Sequence, residues 1–116
     1  MRLLALLALV ATPAFADGFQ PVHDKDHFLD LIEGRDLRIG LYNLTLQLTP
    51  DGTIRGKALG WQITGKWIWQ NGYFCREMDW EGMAIPWNCQ LVEVRDDTLR
   101  FTVDKGAGDS ASFRLR

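Results

Sequence analysis

Hydrophobic and polar residues change period once along this chain. From Asp24 to Glu33, Phe28, Leu31 and Ile32 recur at three- and four-residue spacing, with Asp24 placed to cap the start and Gly34 to end the run. The spacing predicts one short amphipathic helix over about residues 24–33. After Arg35 the period falls to two, and short apolar runs alternate with turn residues at close intervals. The pattern predicts strands from about residue 37 to residue 115.

Three turns fix which side chains share a face. Thr49-Pro50-Asp51-Gly52-Thr53 places proline early in the turn and glycine where φ must be positive, joining Leu44–Leu48 to Ile54–Ala58. Leu44, Leu46 and Leu48 then point inward. Asn71-Gly72 is a strong signal for a two-residue hairpin and pairs Trp69 with Phe74. Arg95-Asp96-Asp97-Thr98 sets Val94 opposite Leu99 and Val92 opposite Phe101, with Glu93, Arg95, Arg100 and Thr102 on the other face. Gly56, Gly60 and Gly65 suit sharp strand bends, and the inward phase slips between Gly60 and Trp61 as a bulge would make it. The economical architecture is mainly β: a short N-terminal helix, then an antiparallel meander of about seven or eight strands curled into a small barrel or sandwich. Its general shape is similar to lipocalin-type meander barrels, at the level of the fold alone.

Residues 1–16 have the three parts of a secretory signal: Arg2, the apolar stretch Leu3 to Ala11, and Ala14-Phe15-Ala16 as the cleavage site. That apolar stretch is short of the roughly 18 residues a membrane span requires. The residue directly after Ala16 is Asp17 rather than Cys, so a lipoprotein anchor is not expected. The mature chain is expected as residues 17–116, a single β domain in the periplasm or secreted.

The whole chain carries 13 Lys and Arg against 15 Asp and Glu. Losing Arg2 with the signal leaves 12 basic residues and a mature net charge of −3. Mild acidity without a basic run argues against nucleic acid or an anionic membrane as partner.

Cys75 and Cys89 are centred on Gly82. A hairpin folding at Glu81-Gly82-Met83 sets them across from each other, and an exported chain would join them as a disulfide. Zinc is the rival reading, but no nearby Cys or His completes a set of four ligands.

Carrying the Asn71-Gly72 register outward puts Trp61, Ile63, Trp67 and Trp69 on one face with Phe74, Arg76, Met78 and Trp80. Lys66 falls opposite Glu77 on the outer face. The same phase points Arg76, Asn88 and Gln90 inward among tryptophans. Burying a guanidinium costs several kcal/mol unless it finds a partner. Two placements follow. In one, Trp67, Trp69 and Trp80 wall a pocket in which Arg76, Asn88 and Gln90 orient a polar or anionic ligand. In the other, Pro86 forces a bulge, the register shifts by one, and the three polar residues face water. The second is the commoner outcome for such a strand, and five tryptophans in a small domain more often build a core than a cage.

Other candidate chemistry is thinner. His23 and His27, with Asp24 and Asp26, have metal-ligand spacing but equally suit an exposed helix start, so no metal is expected. Glu77, Asp79 and Glu81 alternate as an acidic hairpin tip in water would. Asn43-Leu44-Thr45 matches a glycosylation acceptor that would matter only in a eukaryotic host. No nucleophile elbow, phosphate loop or Ser-His-Asp spacing stands out.

Several segments together carry a resemblance: Ala58-Leu59-Gly60-Trp61, Gly65-Lys66-Trp67-Ile68-Trp69, Asn71-Gly72-Tyr73-Phe74-Cys75-Arg76, Asn88-Cys89-Gln90-Leu91-Val92-Glu93 and Gly106-Ala107-Gly108-Asp109-Ser110. The run resembles a family of small exported proteins from Rhodobacter-type alphaproteobacteria, over nearly the whole mature chain. Members often carry the label dihydrodipicolinate reductase, which would imply a nicotinamide cofactor. Gly52, Gly56 and Gly60, however, lie four apart inside a strand region, and no parallel βαβ unit is present to seat a pyrophosphate. No cofactor and no catalytic residue is therefore expected. Two functions remain. One is a periplasmic binding protein for a small molecule. The other is a partner of a periplasmic protein, such as an enzyme inhibitor or envelope accessory factor, acting through Asp79 to Trp87 and Lys105 to Ser110.

Overall fold

The computed structural model describes residues 17–116, so the leader-like segment lies outside the described residues. Asp24, in an extended conformation, accepts the backbone N–H of His27 at 2.8 Å and starts helix α1 (Lys25–Ile32). The helix ends as its period predicts: the Glu33 N–H returns to the Leu29 carbonyl, and Gly34 takes a positive φ of 69°. Its buried face is Phe28 and Ile32.

The described residues also form nine strands: β1 (Gln20–Pro21), β2 (Leu37–Ile39), β3 (Leu44–Leu48), β4 (Thr53–Ala58), β5 (Trp61–Gln70), β6 (Tyr73–Trp80), β7 (Met83–Arg95), β8 (Thr98–Thr102) and β9 (Ser110–Leu115). From β2 to β9 each strand pairs antiparallel with the next, and β9 returns to β2 through Leu37 opposite Leu115 and Arg38 opposite Arg114. The meander is thus a closed eight-stranded barrel, with β1 as an extra strand. Strand β7 is long enough to serve β6 with its first half and β8 with its second. Beyond the end of β6, β1 takes the vacated side of β7, setting Gln20 opposite Val94 and Pro21 opposite Glu93. Proline suits that edge position because it has no N–H to donate.

The turns expected at residues 49–53, 71–72 and 95–98 form with the expected pairs: Leu48 with Ile54, Trp69 with Phe74, and Val94 with Leu99. At Gly60 the structure differs. Leu59 and Gly60 adopt φ of 54° and 83° and close a two-residue hairpin, with Ala58 paired to Trp61. The expected bulge is therefore a full reversal of the chain. A leucine at positive φ is uncommon, which hid the turn from the sequence pattern. Trp61 keeps the inward phase of β5 but stands past the barrel rim, 55% exposed, with its ring 6.0 Å from that of Trp80.

Gly56 bends β4 against β3. A Cβ at that position would lie 2.0 Å from the Thr45 carbonyl oxygen and 3.0 Å from the Leu46 Cα, both backbone atoms that cannot rotate away. Gly56→Ala is expected to cost about 2 kcal/mol or more of unfolding free energy, measured by urea denaturation. A loss below about 0.5 kcal/mol would show that β3 and β4 are not so closely apposed.

The connections alternate between the barrel's two ends. At one end lie the turns at 49–52, 71–72 and 96–97, together with α1. The Phe28 ring there sits 5.4 Å from Trp67, 5.0 Å from Trp69 and 5.4 Å from Phe74, closing the barrel. At the other end lie 40–43, 59–60, 81–82 and 103–109. Among the described residues no α-helix lies over it, and Leu41, Tyr42, Leu59, Trp61 and Met83 leave large apolar surfaces exposed there.

Outside the wall, Phe19 is buried beneath the guanidinium groups of Arg95 and Arg100, 4.4 and 4.0 Å from its ring. Arg100 also pairs with Asp17 and Glu93. Hydrogen bonds from Arg100 and from the Phe19 N–H hold the Asp17 carboxyl below its ordinary range.

Candidate functional site

The polar residues of β6 and β7 take their places from one irregularity. The tight turn at Glu81-Gly82 sets Trp80 opposite Met83 and Met78 opposite Ile85. Continued unchanged, that register would put Cys75 opposite Asn88. One extra residue at Pro86-Trp87 intervenes, so that Arg76 faces Asn88, Cys75 faces Cys89 and Phe74 faces Gln90. Cys75 and Cys89 form a disulfide on the outer face of the two strands.

The bulge expected at Pro86 is thus real, but it does the opposite of turning Arg76, Asn88 and Gln90 to water. It keeps Asn88 and Gln90 in phase with the inward residues of β6. Gln90 is only 5% exposed, and Arg76 and Asn88 are half-buried.

Arg76 lies between Trp67 and Asn88 on the neighbouring strands. Its Nη1 donates to the Pro86 carbonyl at 2.8 Å. The ion pairs among the described residues join Arg35 to Asp97 and Arg100 to Asp17 and Glu93, so Arg76 has no carboxylate partner there. Burial pulls its pKa below the ordinary value for a guanidinium, as expected for a cation removed from water without a counter-charge. Gln90 is more unusual. Its carboxamide is buried yet makes no hydrogen bond among the described residues.

Asn88 is fully engaged. It donates through Nδ2 to Asp104 Oδ1 at 2.8 Å and accepts the Asp104 N–H at 3.0 Å, which pins the β8–β9 loop. That loop forms one side of a cavity.

The interior holds three adjoining spaces. A pocket of about 260 Å³ is lined by Arg76, Gln90, Val103, Asp109 and Ser110. A small void of about 40 Å³ lies among Leu37, Leu46, Ile54, Phe74 and Phe101, with Arg76 and Gln90 again in its wall. An apolar cavity of about 380 Å³ opens beside the uncovered rim, lined by Tyr42, Leu44, Ala58, Leu59, Ile63 and Trp80. Met78 and Phe113 line all three, so the spaces adjoin at these two side chains. A methionine with three rotatable bonds is a readily displaced partition.

Of the six residues the sequence singles out, Arg76, Gln90 and Trp80 meet around this lumen. The other three are occupied elsewhere. Trp67 is 2% exposed, donates to the Thr49 carbonyl at 3.0 Å and packs on Phe28 at the helix end. Trp69 stacks on Phe28 and donates to the His23 carbonyl at 3.4 Å. Asn88 holds the loop. Trp80 anchors its own ring by donating to the Ala58 carbonyl at 3.2 Å.

Leu44 is expected to face inward, but the apolar wall it forms with Tyr42, Leu59 and Phe113 is not read from the sequence. Its residues come from four different strands and turns, and alternation within one strand says nothing about which neighbours leave space. The Leu59-Gly60 turn, which aims Leu59 at the rim, gives no such signal because leucine seldom takes a positive φ. His23 and His27 are both exposed at the helix start. Among the described residues no three His, Cys, Asp or Glu side chains come together in a metal-binding group. Comparison with protein-family models, curated proteins and solved structures found no match.

Proposed function

We propose that this chain is an exported periplasmic binding protein, of the small alphaproteobacterial kind its motifs resemble, that carries a small and largely apolar molecule in the barrel lumen. The observation that carries the reading is the apolar compartment of about 380 Å³ beneath the rim, within the range of small-ligand sites. Among the described residues α1 plugs one end of the closed barrel, and the apolar compartment lies beside the opposite rim, which gives such a ligand a way in. The disulfide fits an oxidising compartment, and no described helix is long and apolar enough to span a membrane. Nicotinamide chemistry is not part of this reading, because every strand pairing in the sheet is antiparallel and the dinucleotide site of a Rossmann fold is built on parallel strands.

The test is titration with the neutral dye N-phenyl-1-naphthylamine. We expect saturable one-site binding with energy transfer from tryptophan. Filling the lumen with Leu44→Trp or Ala58→Phe should weaken binding about tenfold or more in whichever variant retains a cooperative melt. Unchanged dye affinity in a folded variant would overturn the reading. A second reading, docking of a periplasmic protein, draws support from the exposed Met83 and Trp87 on the segment Asp79 to Trp87. It predicts that dye never enters.

A further inference from the structure

We infer that the ligand of the lumen is a monoanionic amphiphile, with a carboxylate-type head between Arg76 and Gln90 and its apolar body in the compartment beside Trp80. The inference rests on the binding reading above and specifies its chemistry. Two independent observations meet at the head site.

The first is charge. Arg76 contributes a half-buried guanidinium to the wall of both the 260 Å³ pocket and the 40 Å³ void, with one backbone carbonyl as its hydrogen-bond partner. A guanidinium has five N–H donors, so most of its capacity is unspent. Arg76 has no ion-pair partner among the described residues, and a planar carboxylate matches its fork.

The second observation is Gln90, a residue 5% exposed in the wall of the same two spaces, whose carboxamide has no hydrogen bond among the described residues. Buried amides are almost always satisfied, and an exception calls for an absent partner. An anionic oxygen at this position would accept from the Gln90 NH₂ as well as from Arg76.

The rest of the molecule sets the other end of the ligand. Beyond Met78 and Phe113 the lumen is lined by Tyr42, Leu44, Ala58, Leu59, Ile63 and Trp80, which leaves hydrocarbon or an aromatic body as the compatible occupant. Asp109, exposed at the edge of the head pocket, is the one carboxylate lining it. Asp109 disfavours a second negative charge there, which limits the head to a monoanion. Asn88 acts at one remove as a positioning residue, since its paired hydrogen bonds to Asp104 fix the loop that carries Asp109 and Ser110.

Decanoate, decanol and decyltrimethylammonium serve as probes of equal chain length and different head charge, each competing against N-phenyl-1-naphthylamine on the mature protein. Decanoate is expected to displace the dye at a concentration at least about tenfold below decanol, because a charge-assisted pair is worth at least that factor. Decyltrimethylammonium should be the weakest of the three. Arg76→Gln should bring decanoate and decanol to within about twofold of each other while dye binding persists, and Gln90→Leu should narrow the gap in part. Asp109→Asn should tighten decanoate and leave decanol unchanged, which a purely structural role for these residues would not produce. Equal displacement by decanoate and decanol in the unaltered protein would overturn the head-group assignment and leave the lumen reading standing. So would a preference that survives Arg76→Gln. Failure of the dye itself to bind would overturn both.

Discussion

Phe28→Ala is expected to remove about 3–5 kcal/mol of unfolding free energy, a large share of the 5–15 kcal/mol that holds a typical domain together. Phe28 has no exposed surface and lies within about 6.3 Å, ring centroid to centroid, of Trp67, Trp69, Phe74 and Phe101. It is the side chain through which an eight-residue helix closes a barrel end. Helices of that length have little stability of their own in water, so α1 persists because its apolar face is covered. Loss of the ring leaves a cavity that surrounding tryptophans cannot collapse into, since Trp67 and Trp69 are tied to the Thr49 and His23 carbonyls. Urea denaturation would register the loss, with Phe28→Leu as a milder comparison. A change under about 1 kcal/mol in Phe28→Ala would mean that the helix does not plug the barrel. The same variant bears on function, because an unplugged lumen should release bound dye faster without altering the discrimination between decanoate and decanol.

The helix, the hairpins at 49–53, 71–72 and 95–98, and the placement of Trp67 opposite Arg76 were legible in the sequence because each depends on local chemistry. A capping aspartate, a proline before a glycine and an Asn-Gly pair act over a few residues. Barrel closure was legible only as one of two options, since alternation does not say whether β9 reaches β2. Two features escaped for opposite reasons. The Leu59-Gly60 reversal uses a residue that seldom takes positive φ, so the turn resembled a bulge. The bulge at Pro86-Trp87 was foreseen, but its effect depends on a register count from the turn at Glu81-Gly82. A two-residue turn and one extra residue together give the same pairing as a turn centred on Gly82, and so the polar trio stays inward. The placement of the candidate residues was half visible for the same reason. Arg76, Gln90 and Trp80 follow from strand phase, whereas the engagement of Trp67 and Trp69 by α1 and of Asn88 by Asp104 depends on packing from distant parts of the chain.

Replacing Cys75 and Cys89 together by serine is expected to cost about 3 kcal/mol, which for a domain of this size is a fall of roughly 12–24 °C in melting temperature. The two cysteines are 14 residues apart in sequence and enclose the turn end of the β6–β7 hairpin. The crosslink therefore restricts the unfolded chain by fixing one short loop, and the chain-entropy model gives the stated magnitude for that loop length. Its second effect concerns the site. The disulfide sits on the segment immediately beyond the Pro86-Trp87 bulge, where a slip by one residue would bring Asn88 opposite Cys75 and turn Gln90 away from the lumen. Holding Cys75 to Cys89 excludes that slip and keeps Arg76 beside Gln90. The serine variant should thus lose the preference for decanoate over decanol even at temperatures where it remains folded and binds the neutral dye. Thermal melts with and without reductant, combined with the dye-displacement series at 15 °C, would check both effects. A reduced protein that melts within about 2 °C of the oxidised one would remove the stability argument. Full retention of head-group discrimination would show that the ladder alone holds the bulge in register.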